Sequence, residues 1–569
     1  MALEGLQSDR DKATLWRRDL LTLGAIFVVS LAVRLLALRY WGTGPIEAEG
    51  AEYARIAENL RKGGGYVGLI TPGPEVMFPP LYPLLISGVS FLTGSYEWAA
   101  RIIALTLGSM LPLTAFGVAS RLFNRRTAFV AAALTMLHPL LVSVSFTVFS
   151  EGLYATVLLF AVYLVLCALS LQTNRIWFFV GALFGLAFLL RQEAVAVFLI
   201  VEFFALVATN GNLVTRSKRA AAALVIFIAV VSPQIIYIHH VTGKLRLEAK
   251  SSINLPMSIN ILSDGGTPDS ENRIAYGINS DLQGTGIWMR PQVDEVRDAS
   301  VSLRNVAHLI KFVAPRNIKI LLEYLSSRWM GGPFIPALAL LGAFRRPWRR
   351  SRAAMFLFVA LVPAAAFAAT FTTYFSFPRY YFLILPFLLI WAANGLVEIG
   401  LWLKATTGPL MRRWHAPLRS EYIVPALIGI LLVIYPLREV RATDFYFTAE
   451  GSPSNRVVKD VGLWIRQQQS GPIRIMARSA PFAFHADADL VWYPYCTEAL
   501  ALRFVDAANV DYLVLRRGEN FSKYYEDWQT NGIPDARAEL VFVSSGRDAG
   551  EVKVYRWHHP VKLVAPPSL

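Results

Sequence analysis

Three glutamates lie close together just after the first apolar segment of the chain. Glu47, Glu49 and Glu52 fall within six residues, where that segment would leave a lipid bilayer. Carboxylates at the end of a membrane span often mark a functional site, and a carboxylate can take the proton of an attacking hydroxyl group. We assign the role of catalytic base to Glu49, with Glu47 as the second candidate; the alternative for both is solvation of a surface helix. For Glu52 we expect that solvating role.

Two arginines lie at the predicted outer ends of apolar segments: Arg191 follows the segment 176–190, and Arg379 precedes the segment 381–400. Arg191 and Arg379 carry planar guanidinium groups, whose fork of donors suits phosphate oxygens. We therefore expect both to bind a lipid phosphate. Arg55, two residues after Tyr53, is a third candidate that approaches from the loop. The alternative for Arg191 is a structural ion pair with Glu193.

Further polar residues lie near the same predicted surface. Glu151 opens an apolar segment, so it either lines the site or complements the helix dipole. His239 and His240 end another apolar segment, but adjacent histidines point in different directions and no third ligand is evident. No cofactor is predicted from these residues, and a divalent metal is left open.

The composition indicates a membrane protein. The chain has 569 residues, of which 55% are hydrophobic and 17% charged, and its mean hydropathy is +0.44. Such a chain crosses a membrane several times and carries sizeable parts outside it. Its two cysteines, Cys167 and Cys496, are far apart, which argues against a disulfide framework or a thiolate metal site. The net charge of +15 gathers in the loops of one side, so we expect no nucleic-acid partner.

Apolar segments set the predicted topology. A helix needs about twenty residues to cross the hydrocarbon core, and eleven candidates run over residues 20–40, 97–118, 127–143, 151–170, 176–190, 194–209, 219–238, 331–344, 353–371, 381–400 and 421–437. All lysine and arginine clusters then fall on one side, which the positive-inside bias identifies as the cytoplasm. We expect an integral protein of the plasma (inner) membrane, anchored by an uncleaved first segment. Loops 41–96 and 239–330 face outward.

The predicted architecture has two domains. Residues 1–439 form an all-α membrane domain, and residues 440–569 form an extracytoplasmic α/β domain with helices near 455–469 and 497–508 and strands IRIMAR, DYLVLRR, LVFVSS and EVKVYRW. Within the first outer loop, residues 48–60 have the pattern of an amphipathic helix lying along the membrane surface. The glycines at 63–65 are expected to end this helix.

Short motifs in a fixed order support a more specific interpretation. They are Glu49 four positions before Tyr53 with an Ile-Ala pair following, then GGY at 64–66, PPLYP at 79–83, SEGL at 150–153, LRQE at 190–193 and PRY at 378–380. Together they resemble the GT-C glycosyltransferases related to protein O-mannosyltransferases and lipid A aminoarabinose transferases. Members of that family commonly have Asp where this chain has Glu49. The resemblance covers the chain to about residue 400.

The resemblance implies the activity. It predicts inverting transfer of a sugar from a polyprenyl-phosphate donor to a lipid, glycan or protein acceptor outside the membrane, in cell-envelope assembly. The expected substrate-binding residues are Tyr53, Arg55, Glu151, Arg191, Arg379 and Tyr380. The alternatives are a transporter or flippase of lipid-linked sugars, for which repeats and charges at mid-membrane depth are typical, a non-catalytic scaffold, and a polymerase or ligase with a diphosphate donor.

Overall fold

The computed structural model describes residues 2–41, 46–171, 173–299, 302–327, 330–344, 353–374, 378–413, 420–442, 455–469, 471–546 and 550–559. Most of these residues are helical. The helices up to the end of the membrane part are α1 (Ala2–Trp41), α2 (Ala48–Lys62), α3 (Leu81–Thr93), α4 (Tyr96–Leu122), α5 (Arg125–Leu137), α6 (Pro139–Val144), α7 (Ser150–Leu171), α8 (Ile176–Leu190), α9 (Ala194–Val207), α10 (Leu213–Thr242), α11 (Lys250–Ser263), α12 (Pro268–Tyr276), α13 (Gln292–Asp298), α14 (Leu303–Ser326), α15 (Phe334–Phe344), α16 (Ala353–Ala368), α17 (Ile384–Arg413) and α18 (Ser420–Ala442).

All eleven predicted spans coincide with helices. Six helical stretches are long and apolar enough to cross a membrane: Asp19–Trp41, Tyr96–Leu122, Ser150–Leu171, Leu213–Thr242, Ala353–Thr372 and Ile384–Thr406. The third predicted span is broken in two, because α5 ends before His138 and α6 begins at Pro139, which lacks the N–H that a continuous helix needs there. The number of helices that cross the bilayer stays a prediction.

Neighbouring helices form a layered bundle. Helix α4 packs against α5 and α7, α7 against α8, and α8 against α10, while α17 packs against both α15 and α5. Their shared core includes Leu158, Phe184 and Leu389, all of which are buried. Burial of this shared apolar core fixes the helices against one another, and with them the helix ends that carry the polar residues of the site.

Helix α2 is amphipathic, as predicted, and Gly63 ends it at φ 80°, in the left-handed region that favours glycine. Its surroundings differ from the expectation of a helix exposed along the membrane surface. Helix α2 packs against α3, α4 and a helix of the C-terminal part, α20 (Ala480–Ala486). Polar residues of α2 are thereby covered by protein instead of water.

The C-terminal part is a small α/β unit built on a five-stranded sheet in the order β2-β1-β3-β5-β4. Strands β1, β2 and β3 are parallel, and β5 runs antiparallel to both β3 and β4. The predicted helices and strands are present, and α20, β2 and α22 were not predicted. The elements are α19 (Asn455–Gln468), β1 (Arg474–Ala477), α20 (Ala480–Ala486), β2 (Asp489–Trp492), α21 (Glu498–Ala507), β3 (Tyr512–Arg516), α22 (Lys523–Asn531), β4 (Ala538–Gly546) and β5 (Gly550–Trp557).

The α/β unit rests on the outer loops of the membrane part. Trp492 donates its indole N–H to the carbonyl of Ile70 over 2.7 Å, and the Tyr495 backbone N–H bonds the Tyr276 carbonyl over 2.8 Å. Ala51 of α2 belongs to the same buried cluster as residues of β1 and α20. The proposed domain boundary at 439/440 falls inside α18 and stays a prediction.

Candidate functional site

Two cavities meet at one end of the helix bundle, the end that the sequence predicts to face outward. The membrane cavity, of about 290 Å³, is lined by Glu151, Tyr154 and apolar residues that include Phe382 and Leu383. The outer cavity, of about 390 Å³, lies among the first outer loop, helices α11 and α12, and the α/β unit. The residues common to both are Arg191, Gln192, Glu193, Lys250, Asn254, Thr373, Arg379 and Tyr380. Three cations, Arg191, Lys250 and Arg379, therefore stand at the junction of two cavities whose linings mix polar and apolar residues.

Glu49 lines the outer cavity and pairs with Arg379. Helix α2 carries Glu49 in its first turn, and a 3₁₀ turn at Pro378–Tyr381 carries Arg379, whose Nη2 donates to Glu49 Oε1. The guanidinium also lies over the rings of Phe149 and Tyr380, at 5.5 and 5.4 Å from their centroids. Burial raises the pKa of Glu49, but Arg379, Arg191 and Lys250 together outweigh it and hold the pKa below its ordinary value. The carboxylate is ionised at neutral pH.

Arg191 is the centre of a second ion-pair group. It caps the end of α8, and its guanidinium lies 2.9 Å from Glu151 Oε1 and 3.1 Å from Glu193 Oε1. Glu151 stands in the first turn of α7, so its charge also complements the helix dipole. Burial alone would raise the pKa of Glu193, yet Arg191 and Lys250 lower it to about 2. Arg191 therefore forms the predicted ion pair with Glu193 and also lines both cavities.

Lys250 is a cation that the sequence did not single out. It is the first residue of α11, it lines both cavities, and its Nζ lies 3.5 Å from Glu193 Oε1. Its side chain is 32% exposed. In the sequence, nothing distinguishes Lys250 from Lys244 and Arg246 in the same loop. Only the packing of α11 against the bundle shows which of the three reaches the site.

The two predicted tyrosines both line the outer cavity, and Tyr380 lines the membrane cavity as well. Tyr53 donates its hydroxyl hydrogen to Ser150 Oγ over 3.3 Å. Its ring packs against those of Phe78 and Tyr82, with centroids 5.2 and 5.1 Å away. This packing fixes the rotation of α2 about its axis, and with it the direction in which Glu49 points.

Glu47 and Arg55 are not brought to the cavities. Glu47 is the N-cap residue of α2, makes no side-chain cap hydrogen bond, and lines neither cavity. Arg55 instead pairs with Glu58 at 3.3 Å and with Asp487 of the α/β unit at 3.0 Å. The structure therefore does not bring Arg55 to the cavities, because the α/β unit covers this face of α2 and pairs with the guanidinium.

The expectation for Glu52 is wrong, because its side chain is fully buried. Its Oε2 accepts hydrogen bonds from the backbone N–H groups of Leu69 and Ile70, at 2.6 and 2.8 Å. Glu75 accepts from the N–H groups of Met77 and Phe78 in the same way. Burial, followed by the neighbouring Glu75 charge, raises the pKa of Glu52 well above its ordinary value. The pair holds the loop that forms one wall of the outer cavity.

A metal site finds no support in the described part of the chain. His239 and His240 are exposed in the last turn of α10 and line neither cavity. Within the described ranges there is no group of three or more His, Cys, Asp or Glu residues that could hold a metal ion. Arg191, Lys250 and Arg379 are the arginine and lysine side chains that line both cavities.

Known proteins resemble this chain in sequence over one segment and in fold over most of its length. Residues 78–237 match the family model for dolichyl-phosphate-mannose-protein mannosyltransferase. No curated protein sequence matches the chain significantly. The apo oligosaccharyltransferase of Archaeoglobus fulgidus has a similar structure, with a TM-score of 0.60 and 14% identity over 95% of this chain and 74% of that chain.

Two further solved structures are similar to this one. Archaeoglobus fulgidus AglB, in complex with an inhibitory peptide and a dolichol-phosphate, has a TM-score of 0.56 and 13% identity over 96% of this chain and 75% of that chain. ArnT from Cupriavidus metallidurans, bound to undecaprenyl phosphate, has a TM-score of 0.54 and 14% identity over 95% of this chain and 98% of that chain. The GT-C fold that the sequence motifs indicated is confirmed.

Proposed function

We propose that this protein is a membrane glycosyltransferase that moves a sugar from a polyprenyl-phosphate donor to an acceptor on the extracytoplasmic side, with inversion. The observation that carries the proposal is the shared wall of the two cavities. Arg191, Lys250 and Arg379 face, on one side, a membrane cavity whose lining includes the apolar Ala366, Ala369, Phe382 and Leu383. On the other side they face the cavity that contains the Glu49 carboxylate. A lipid-linked phosphate needs this combination of an apolar groove, cations and a nearby base.

The membrane cavity is assigned to the donor. Its lining includes Ala366, Ala369, Phe382 and Leu383, which suit the first isoprene units of a prenyl chain. Arg379 and Arg191 each present several N–H donors in a planar fork, so they can bind two phosphate oxygens while keeping their carboxylate partners. The phosphate would then lie at the junction, with the sugar directed into the outer cavity.

The outer cavity is assigned to the acceptor. An acceptor hydroxyl oxygen attacks the anomeric carbon of the sugar from the face opposite the phosphate, while the bond between that carbon and the phosphate oxygen breaks. Glu49 takes the hydroxyl proton, and the electron pair of the broken bond leaves with the polyprenyl phosphate. Arg191, Lys250 and Arg379 stabilise the negative charge that develops on the departing phosphate, which is where preorganised cations contribute most.

The similar proteins support the donor class. ArnT from Cupriavidus metallidurans binds undecaprenyl phosphate and Archaeoglobus fulgidus AglB binds a dolichol-phosphate, and the matching family model describes a dolichyl-phosphate-mannose enzyme. We place this chain in the plasma (inner) membrane, with the site on the outer face, acting in envelope glycan or glycolipid assembly. Glu151 and Tyr380 complete the donor pocket, while Tyr53 positions Glu49.

Turnover in proteoliposomes tests the proposal. Purified full-length protein is given a polyprenyl-phosphate sugar labelled in the sugar, with a lipid and glycan extract of cell envelopes as the acceptor source. We expect label in a new product and one free polyprenyl phosphate for each transfer. Arg297→Gln, which changes an exposed arginine paired with Asp294 outside both cavities, is the matched control and should act as wild type.

Other results of the same assay would contradict the proposal. Movement of intact labelled donor across the bilayer without bond cleavage indicates a flippase. Cleavage that occurs only with a sugar diphosphate lipid indicates a polymerase or ligase instead. If no lipid-linked sugar is cleaved or moved, a scaffold role replaces the catalytic one.

A further inference from the structure

The outer cavity contains a fourth cation, contributed by the α/β unit. Arg478 directly follows β1 and lines the outer cavity. Its guanidinium packs against two aromatic rings that contact each other edge to face, 4.5 Å from the centroid of Tyr276 and 3.9 Å from that of Phe521. Its Nη1 is buried, and no described residue accepts a hydrogen bond from it. Arg478 also forms no ion pair with a described carboxylate, unlike Arg191, Lys250 and Arg379.

The position of Arg478 in the sheet is one where ligands bind. In α/β sheets, the carboxyl ends of parallel strands form the edge at which ligands are held. Arg478 follows the carboxyl end of β1, and Trp492, which also lines the outer cavity, is the last residue of the parallel neighbour β2. The membrane part supplies the opposite wall, which includes Glu49. The cavity therefore runs from the base to an unpaired guanidinium.

The remaining lining of the outer cavity indicates what kind of molecule would occupy it. Tyr276, Trp288 and Trp492 present aromatic surface, while Glu271 and Asn272 present hydrogen-bonding groups. Flat apolar faces combined with a few polar groups suit a saccharide ring, which has an apolar face and a rim of hydroxyls. Arg478 is half-buried, but its Nη1 is buried without an acceptor among the described residues, which is costly unless an anion completes it.

We propose that Arg478 binds an anionic substituent, a carboxylate or a phosphate, on a saccharide acceptor. This inference rests on the proposed function, because it assigns the outer cavity to the acceptor. Tyr276 and Phe521 hold the guanidinium plane in place, so that its fork meets the two oxygens of the anion. The anion then fixes the acceptor with a hydroxyl directed at Glu49. The α/β unit thereby selects acidic glycans over neutral ones.

Matched glycosides test this inference directly. Purified full-length protein in detergent is titrated with methyl glucoside, methyl glucuronide and methyl glucoside 6-phosphate, with binding followed by ligand-observed NMR. We expect at least one anionic glycoside to bind about tenfold or more tightly than the neutral one, as expected for one charge-assisted bidentate contact. The carboxylate and phosphate arms show which anion is preferred.

Variants assign the preference to Arg478. Arg478→Gln should remove the preference for the anionic glycoside and leave the affinity for methyl glucoside unchanged. Arg478→Lys, which keeps the charge but loses the planar fork, should keep part of the preference for the anionic glycoside. Arg474→Gln changes the exposed arginine that begins β1, four residues before Arg478 and outside the cavity, and should keep the whole preference. Thermal unfolding of each variant checks that it is folded.

The wild-type comparison does not depend on any variant. Equal affinity for neutral and anionic glycosides, or no detectable binding of either, overturns the inference. So does a preference that survives in folded Arg478→Gln. An acidic hexapeptide that binds through Arg478 while the glycosides do not would replace the saccharide with a peptide.

The donor assay is run in parallel to separate this inference from the proposed function. Anionic preference without donor cleavage leaves the Arg478 site in place and removes the proposed function. Donor cleavage without anionic preference does the reverse.

Discussion

At the scale of single residues, the central relation is the pair between Glu49 and Arg379. The two residues are 330 positions apart, and each modifies the other. Arg379 keeps Glu49 ionised and therefore able to accept a proton, while Glu49 holds the guanidinium at the junction of the two cavities. Because the Glu49 side chain is still 28% exposed, an acceptor hydroxyl can reach it from the outer cavity.

Replacement of Glu49 by Gln keeps the size of the side chain and removes the proton acceptor. We expect turnover of the polyprenyl-phosphate sugar to fall by on the order of 10² to 10⁴, the usual loss of general-base help, while the donor still binds. Glu49→Asp should retain part of the activity. Glu47→Gln is the matched control, two residues away and outside both cavities. If Glu49→Gln turns over normally and Glu47→Gln is inactive, Glu47 and not Glu49 is the catalytic base.

Replacement of Arg379 by Ala removes both a guanidinium that is proposed to bind the phosphate of the donor and the ion-pair partner of Glu49. We expect a higher apparent donor requirement and a higher pKa for Glu49, so the acidic limb of the pH–rate profile should move to higher pH. Arg379→Lys should rescue only partly, because an ammonium group loses the bidentate geometry. Arg191→Ala should raise the donor requirement as well. Unchanged donor affinity in both alanine variants would exclude these arginines as the phosphate site.

At the scale of elements, the loop between α2 and α3 is held by two buried carboxyl groups in addition to a short backbone bridge between Val67 and Pro74. Glu52 and Glu75 accept four backbone hydrogen bonds from residues 69, 70, 77 and 78. Ile70, Met77 and Phe78 of this loop line the outer cavity. A loop rich in proline and glycine thus becomes a fixed wall, because two buried side chains satisfy its N–H groups.

The raised pKa of Glu52 predicts a dependence of stability on pH. The folded protein holds this proton more tightly than the unfolded chain, whose glutamate pKa is about 4.3. The free energy of unfolding should therefore fall as the pH rises above that value, until the folded-state pKa is passed. Glu52→Gln carries no such proton and still accepts hydrogen bonds from Leu69 and Ile70.

Thermal unfolding between pH 5 and pH 9 measures this effect. Glu52→Gln should lose less stability than wild type as the pH rises, with the difference largest at alkaline pH. Glu526→Gln, an exposed glutamate of α22, should follow the wild-type curve. If Glu52→Gln is destabilised equally at every pH, then Glu52 is not protonated in the folded protein.

The sequence predicted the secondary-structure elements better than it predicted the contacts between them. Apolar length placed the helices, and short motifs pointed to Glu49, Arg191 and Arg379, because these signals are local. The sequence did not show that Arg55 lies outside the cavities, because its partner Asp487 lies in another part of the fold. Glu52 was misassigned because the helical pattern shows that a face is polar but not whether protein or water covers it. Lys250 was missed for the same reason.

At the scale of the whole molecule, the site is assembled from distant parts of the chain. The first outer loop supplies Glu49, the bundle supplies Arg191 and Arg379, and the α/β unit supplies Arg478 and Trp492. Trp492 bonds Ile70, and Asp487 bonds Arg55, so the α/β unit is tied to the loop that carries the base. All these parts must therefore lie on the same side of the membrane.

Labelling with an impermeant thiol reagent in intact cells tests that arrangement. In a Cys496→Ser background, where the remaining Cys167 is buried, we expect Lys62→Cys and Asn520→Cys to react from outside, since both positions are exposed. Lys218→Cys, exposed in the predicted cytoplasmic loop, should react only after permeabilisation. Labelling of position 62 and position 520 from opposite sides would exclude a shared outer cavity.

The shared cationic wall also bears on how fast the enzyme can cycle. The donor is a phosphodiester with about one negative charge, whereas the released polyprenyl phosphate is a monoester with about −1.5 to −2 at neutral pH. Arg191, Lys250 and Arg379 should therefore retain the spent carrier more tightly than the loaded one. We expect a rapid first turnover followed by a slower steady state limited by carrier release. Added polyprenyl phosphate should inhibit competitively with respect to the donor. Accumulation of the spent carrier in the membrane should therefore slow glycosylation.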